Sequence, residues 1–271
     1  MKLFYPFLLL LSPLSAAERS KPLLQTPPPS SITIVKVRPS PEPNQATLRV
    51  AFPEQQQVVG NPVVLNVRIR GYSLGTRSPA ERSEQLLNEP MGQSLRIVID
   101  DDPYEIHTRG SVDPFEQDGD FYQQNYQIPL RCDLAEGEHI ARLFIARSYG
   151  ESLKSSECFE MVKFSVGRRG QSQEIQGPIL TYNEPSWRYV YPENTPVLLD
   201  FLFTQGLLAE GSYGVQVRID GTLIETLYQK APYYIYGLKK GKHVLSLTVV
   251  NGKGKELEGS YQKKTTIVQI G

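Results

Sequence analysis

Leu134-Ala-Glu-Gly137-Glu-His139-Ile-Ala-Arg-Leu143 and Leu238-Lys-Lys-Gly241-Lys-His243-Val-Leu-Ser-Leu247 are one pattern written twice, 104 residues apart. The match continues without a gap through Gly150 and Gly254 to Gly167 and Gly271. Each copy reads as a Gly turn, a strand with apolar residues at alternate positions, a second Gly turn and a closing strand that ends on Gly. Two such copies predict two antiparallel β-sandwiches in tandem.

Working outward, Pro196-Val197-Leu198-Leu199-Asp200-Phe201 echoes Pro62-Val63-Val64-Leu65-Asn66-Val67, and Val217-Arg218-Ile219-Asp220-Gly221 echoes Ile97-Val98-Ile99-Asp100-Asp101. The spacings, 134 and 120 residues, shrink toward the shared tail, so the first unit carries the longer loops, at 71 to 93 and 103 to 124. Its strands are expected at Thr47 to Phe52, Val63 to Arg70, Ser94 to Ile99, Asn125 to Leu130, His139 to Ala146 and Phe159 to Val166. Ser78-Pro79-Ala80-Glu81 has the form of a capping box with Pro at the first helical position, which predicts a short helix as far as about Asn88. The fold class is therefore all-β: two tandem immunoglobulin-like (fibronectin III-like) sandwiches, the first with a short inserted helix. The units are expected at 46–167 and 178–271, joined by a polar linker at 168–177.

The first 17 residues combine Lys2, an apolar run from Leu3 to Leu11 and a small-residue cleavage site at Ser15-Ala16-Ala17, the pattern of a secretory signal. Export to a periplasm or the extracellular medium follows, with no membrane insertion after cleavage and a mature chain starting near Glu18. Residues 18–45 are too rich in Pro for regular structure and read as an extended arm, in which Ile32 to Val37 could add an edge strand. With 29 basic and 29 acidic side chains, net charge does not favour nucleic acid as a partner. The charge is unevenly spread: residues 46–167 carry 12 basic against 18 acidic groups, and residues 177–271 carry 10 against 8.

Candidate sites are few. His139 and His243 hold equivalent repeat positions and read as scaffold. His107, in an acidic loop, cannot by itself make a zinc site. Asp100-Asp101-Asp102 reads as a hairpin turn; as a calcium site it would recruit Glu105, Asp113, Glu116, Asp118 or Asp120, whose spacing is not that of a calcium loop. Trp187, Tyr189 and Tyr191 alternate, so a strand would place them on one face. That face is read first as buried at the domain junction and, in the alternative, as a sugar-binding surface. Cys132 and Cys158 are expected to pair, because an exported chain with two Cys ordinarily bonds them. Side-chain parity points both thiols inward, whereas hairpin counting leaves about 14 Å between them, beyond disulfide reach. No nucleophile elbow, zinc-protease, phosphate-loop or dinucleotide motif occurs, and no cofactor is assigned.

Four stretches of the first unit, Gly71-Tyr72-Ser73-Leu74-Gly75-Thr76, Gly92-Gln93-Ser94-Leu95-Arg96, Asp101-Asp102-Pro103-Tyr104 and Ala146-Arg147-Ser148-Tyr149-Gly150-Glu151-Ser152-Leu153-Lys154, resemble a family of exported bacterial proteins without assigned activity. Pro178-Ile179-Leu180-Thr181-Tyr182 and the strands of the second unit extend the resemblance over most of 46–271. It implies tandem sandwiches, and it implies His where this chain has Ser94, Arg96 and Gly150, so a metal or ligand site built on those histidines would be missing here. The Arg147 to Lys154 stretch stands out as a binding surface, with Arg147, Tyr149, Glu151 and Lys154 as its polar groups. The reading is an exported, non-catalytic binding or structural protein of the cell envelope, its partner an envelope protein or a glycan. The alternatives are a carbohydrate-binding module using Trp187, Tyr189 and Tyr191, and a degenerate metal-binding periplasmic protein.

Overall fold

The computed structural model describes residues 31–79, 81–109, 123–170 and 175–271, with the backbone alone for Glu81 and Gln123. Residues 1–17, expected to be a secretory signal, the start of the arm and the acids Asp113, Glu116, Asp118 and Asp120 lie outside the described residues. The arm contributes β1 (Thr33–Lys36). The first sandwich comprises β2 (Thr47–Phe52), β3 (Gln57–Val59), β4 (Val64–Arg70), β5 (Ser94–Ile99), β6 (Glu105–His107), β7 (Gln123–Pro129), β8 (Gly137–Ala146) and β9 (Phe159–Val166). The second comprises β10 (Ile179–Glu184), β11 (Val190–Tyr191), β12 (Val197–Thr204), β13 (Gly214–Ile219), β14 (Thr222–Leu227), β15 (Tyr233–Tyr236), β16 (Gly241–Val250) and β17 (Lys263–Ile270).

The two sandwiches correspond strand for strand. Sheet order β2-β4-β7 faces β3-β9-β8-β5-β6 in the first, and β10-β12-β15 faces β11-β17-β16-β13-β14 in the second. The chain is thus all-β, with two immunoglobulin-like sandwiches. Alternation builds each core: Leu95, Ile97 and Ile99 of β5 meet Leu48, Leu65 and Ile69, while Leu199, Phe201 and Phe203 of β12 meet Val215, Val217 and Leu247. Fully burying side chains of this kind stabilises each core by about 1.5–3 kcal/mol apiece.

The repeated glycines close equivalent turns. Gly150 N–H donates to the Arg147 carbonyl and Gly254 N–H to that of Asn251, at 2.9 and 2.8 Å. Both glycines sit at positive φ, 89° and 76°, where a Cβ is costly. The histidines are equally matched. Nδ1 lies 2.7 Å from a carboxylate, Asp100 for His139 and Asp220 for His243, and Nε2 lies 2.8 Å from a carbonyl, of Ala135 and Lys239. The scaffold reading of both residues therefore has a mechanism: each ring ties a hairpin turn to the turn that precedes its own strand. His107 differs from its expected setting, being a half-buried residue of β6 whose Nε2 lies 3.0 Å from Glu105 rather than a loop side chain.

His243 faces two groups that can only accept, so only the doubly protonated ring satisfies both. Burial works against its charge, but the bonds to Asp220 and the Lys239 carbonyl outweigh burial and hold its pKa above the usual value. For Asp220, burial works the other way too, and the His243 and Val244 N–H donors overcome it to leave the pKa low. The His243 contribution is complete below its unfolded pKa of about 6.5 and fades as pH rises through the raised folded value. The Asp220 contribution is complete above about pH 3.9 and fades as pH falls through the lowered one. His243→Gln is expected to lose roughly 1 kcal/mol between about pH 4 and 6.5, because Asp220 is half exposed and screened by solvent. Urea titrations of both proteins at pH 5.5 and pH 9 check this. The two curves should lie closer together at pH 9.

Two expectations are corrected. The inserted helix is a single 3-10 turn, Glu81–Glu84. Its intended cap is diverted, because Ser78 Oγ accepts from Ser148 N–H at 3.0 Å and Ser78 N–H donates to Ser148 Oγ. The cysteines are free, Cys132 exposed and Cys158 buried. They flank opposite ends of β8: Cys132 precedes Gly137, which pairs with Val166, and Cys158 adjoins Phe159, which pairs with Phe144. Those ends are about 24 Å apart along the strand, far outside disulfide reach. The Cys158 thiol instead bonds to the Ala46 carbonyl at 3.3 Å, and burial pushes its pKa up to about 12. The edge strand expected from the arm does form, and it joins the second sandwich. β1 pairs antiparallel with β15, placing Ile32 and Ile34 against the second core and covering an open edge of that sheet.

Candidate functional site

The outer face of β5 and β8 does not meet solvent. Every residue of β5 is buried, and Val98, Tyr104 and Phe144 pack against Leu202 of β12. The sandwiches therefore stack side by side, the larger sheet of the first on the smaller sheet of the second. Polar residues that alternate with core residues on β5, β10 and β12 are trapped in this junction.

Arg96, fully buried, occupies its centre. Its guanidinium donates to Glu184 Oε1 at 2.7 Å and forms short bonds with Glu89 and Asn183. Glu184 also accepts from Ser186 N–H at 2.6 Å, Tyr191 O–H at 3.0 Å and Tyr104 O–H at 3.3 Å. Burial opposes the Arg96 charge, yet Tyr104, Glu184 and Glu89 more than offset it and raise its pKa further. Glu89 is pushed the other way by burial, which raises its pKa against the pull of Arg96. Gly150, at the first sandwich's repeat turn, is required here: a Cβ would come within 2.8 Å of Glu184.

A second buried pair lies alongside. Asp200 accepts from Ser152 N–H and Oγ–H at 3.1 and 2.6 Å and from Asn183 Nδ2 at 2.6 Å, and Lys154 closes on its other oxygen. A third group ties down the arm. Glu151 accepts from Ser40 N–H and Oγ–H, both at 2.8 Å, and pairs with Arg82. Tyr149 O–H donates to Ser40 Oγ at 2.7 Å, and Arg147 donates to the Ser40 and Pro41 carbonyls.

The structure thus brings Arg147, Tyr149, Glu151 and Lys154 together, but as a buried clamp rather than an exposed surface. Tyr149 is 2% exposed. The stretch is polar because its partners are the arm and the second sandwich, which local sequence does not show. The aromatic row is also corrected. Trp187 and Arg188 form a turn between β10 and β11, and the strand itself is only Val190–Tyr191. In consequence Trp187 is 58% exposed, Tyr189 is half-buried and Tyr191 is buried on Glu184. They do not share a face.

Trp187 stands at the mouth of a cleft between the sandwiches. The walls are the β5–β6 turn (Asp101 to Tyr104), Leu180 and Tyr182 of β10, and Lys263 to Thr266 of β17, enclosing about 130 Å³. Arg142 lines it, donating to the Leu180 carbonyl at 3.3 Å and Thr181 Oγ1 at 3.2 Å. Its Nε is buried with no protein partner. Lys264 Nζ reaches the Asp101 carbonyl at 2.7 Å.

No family model matches the chain, and no curated protein matches it. Among solved structures, the fibronectin(III)-like modules of Clostridium thermocellum CbhA are similar over 82% of this chain and 94% of theirs, at 12% identity and TM-score 0.28. Latent PorU from Porphyromonas gingivalis is similar over 91% of this chain and 20% of its own, at 16% identity and TM-score 0.25. Bacteroides ovatus SGBP-B, in complex with a mixed-linkage heptasaccharide, is similar over 83% and 47%, at 9% identity and TM-score 0.19. The chain spans about a fifth of the PorU chain and under half of the SGBP-B chain. At such scores, function rests on this chain's own residues. Two of the three positions implied for His, Arg96 and Gly150, lie against Glu184. Among the described residues, no cluster of three or more His, Cys, Asp or Glu is placed to hold a metal ion, and no helix is long and apolar enough to cross a membrane.

Proposed function

We propose that the protein is an exported, non-catalytic binding or structural component of the cell envelope, in which the two sandwiches act as one stiff block. The observation that supports this reading is the junction itself. Tandem domains ordinarily move relative to one another unless their interface is extensive. Here Arg96 with Glu89 and Glu184, Lys154 with Asp200, and Arg82 with Glu151 are buried or nearly so between sandwich one, sandwich two and the arm. Buried ion pairs add little net stability over an apolar contact, but they admit only one geometry and so fix orientation. The ionisable groups gathered there are engaged with one another, as befits a scaffold. Export is supported by the signal pattern of residues 1–17.

The test is recovery of the secreted chain from cells expressing the full sequence, with N-terminal sequencing and a pull-down from an envelope extract. The expected N-terminus lies near Glu18, with an envelope protein or glycan enriched on the mature chain. A chain retained in the cytoplasm with Met1 intact would contradict the reading.

A further inference from the structure

We propose that the inter-sandwich cleft at Trp187 is an oligosaccharide-binding site, with the indole as the platform for one sugar ring. This rests on the reading of the protein as a binding module and supplies its ligand class.

Trp187 is the only Trp of the chain and an exposed one, yet it is not loose. The Arg188 guanidinium lies 5.2 Å from its ring centroid and 5.1 Å from that of Tyr104, and donates to the Tyr104 carbonyl at 2.8 Å. Arg96 lies 4.6 Å from the same Tyr104 ring. An alternating row of cations and rings therefore runs from the buried core of the junction out to the indole, holding in place a large apolar surface that water must cover. Ordering a platform before the ligand arrives removes part of the entropic cost of binding.

The cleft chemistry selects the ligand. Asp101, Asp102 and, on one face of β17, Lys264 and Thr266 line the cleft, with Lys264 Nζ 3.8 Å from an Asp101 carboxylate oxygen. Such a set offers acceptors and donors side by side, which a hydroxyl needs because it does both. A ligand without hydroxyls or similar groups would strand the polar side chains, and one without an apolar face would leave the indole uncovered. A sugar ring satisfies both demands, with an apolar C–H face for the indole and hydroxyls on its edge.

Size sets the length. The cleft, at about 130 Å³, is small, but Trp187 and Thr266 also border a shallower depression of about 430 Å³ floored by Val190, Lys242, Ile267 and Gln269. The indole is the ridge between the two. A chain of at least two sugars crossing that ridge fills both, so oligosaccharides are expected to bind more tightly than monosaccharides.

The experiment titrates the mature chain with cellohexaose, xylohexaose, maltohexaose, laminarihexaose and chitohexaose, reading Trp187 emission and binding heat. At least one should bind saturably and shift the emission. Trp187→Ala should weaken that binding on the order of tenfold or more, while Trp187→Phe, which keeps a platform, should recover most of it. Because the side chain is exposed, both variants should fold, and thermal melts verify this. Absence of binding by all five sugars, or binding that Trp187→Ala leaves unchanged, would overturn the proposal and leave the reading as a stiff envelope component standing. Release of new reducing ends during the titration would overturn the non-catalytic reading, and the Trp187 dependence would still decide the site.

Discussion

Replacing Arg96 with Met is expected to cost about 3–5 kcal/mol of folding stability, because it leaves the carboxylates of Glu89 and Glu184 buried without their counter-charge. For a chain of this size that corresponds to a fall in Tm of roughly 10 °C. The loss should depend on pH with a definite sign. Burial already raises the Glu89 pKa with Arg96 in place, and loss of that counter-charge raises it further above its unfolded value of about 4.3. A raised carboxyl pKa favours the folded state at low pH. The penalty is therefore full at pH 7 and shrinks as pH falls through the raised folded value of Glu89 toward the unfolded one. Adding Glu89→Gln to the Met variant should recover part of the loss at pH 7 and flatten the pH response. Chemical denaturation of the three proteins at pH 7 and pH 5 measures all of this, and a Met variant as stable as the parent at pH 7 would contradict the network.

Asp200→Ala should be comparably severe, at about 3–5 kcal/mol, by a different route. Asp200 is fully buried, and its removal orphans Ser152 N–H and Ser152 Oγ–H and takes one of two acceptors from Asn183 Nδ2, which keeps the Gly150 carbonyl at 2.7 Å. It also leaves Lys154 with Ser152 Oγ and the Phe201 carbonyl as its remaining acceptors. Each unsatisfied buried donor costs about 1–3 kcal/mol, so the sum is dominated by desolvation rather than by a lost attraction. Removing both charges with Lys154→Met and Asp200→Leu should therefore be milder than Asp200→Ala alone. A double-mutant cycle by urea denaturation checks it: a double variant worse than the single one would show that packing, not charge, governs the site.

Most of the fold was legible because its signals are local. Alternating Leu95, Ile97 and Ile99 place β5 at Ser94–Ile99, and the same logic bounds β2 and β9 at their observed residues. The glycines of the repeat mark turns that need positive φ, and His139 and His243 announce a shared turn geometry. What stayed hidden was non-local. β3 and β11 are two or three residues long and exist only because β9 and β17 pair with them in parallel. Arg147 to Lys154 looked like a solvated loop because local polarity is the same whether the partner is water or Asp200 and Ser40. Arg96 alternates with core residues in β5, where a sandwich strand normally turns to solvent; nothing in its neighbourhood tells that a second sandwich lies there. Trp187, Tyr189 and Tyr191 kept the spacing of a strand, but the chain turns at Trp187–Arg188 and only Tyr191 enters the core.

The arm adds to the same account. β1 precedes the first sandwich in sequence and completes the second in space, so the junction is strapped as well as packed. Ser40, 6% exposed, links that strap to Glu151 and Tyr149 of the first sandwich. A chain folded in this way has no sandwich that can open without disturbing the other.

Scanning calorimetry of the intact mature chain tests the stiff two-sandwich unit most directly. A single transition whose calorimetric and van't Hoff enthalpies agree is the expected result, since core, junction and strap would then unfold together. Two resolved transitions, one per sandwich, would contradict it.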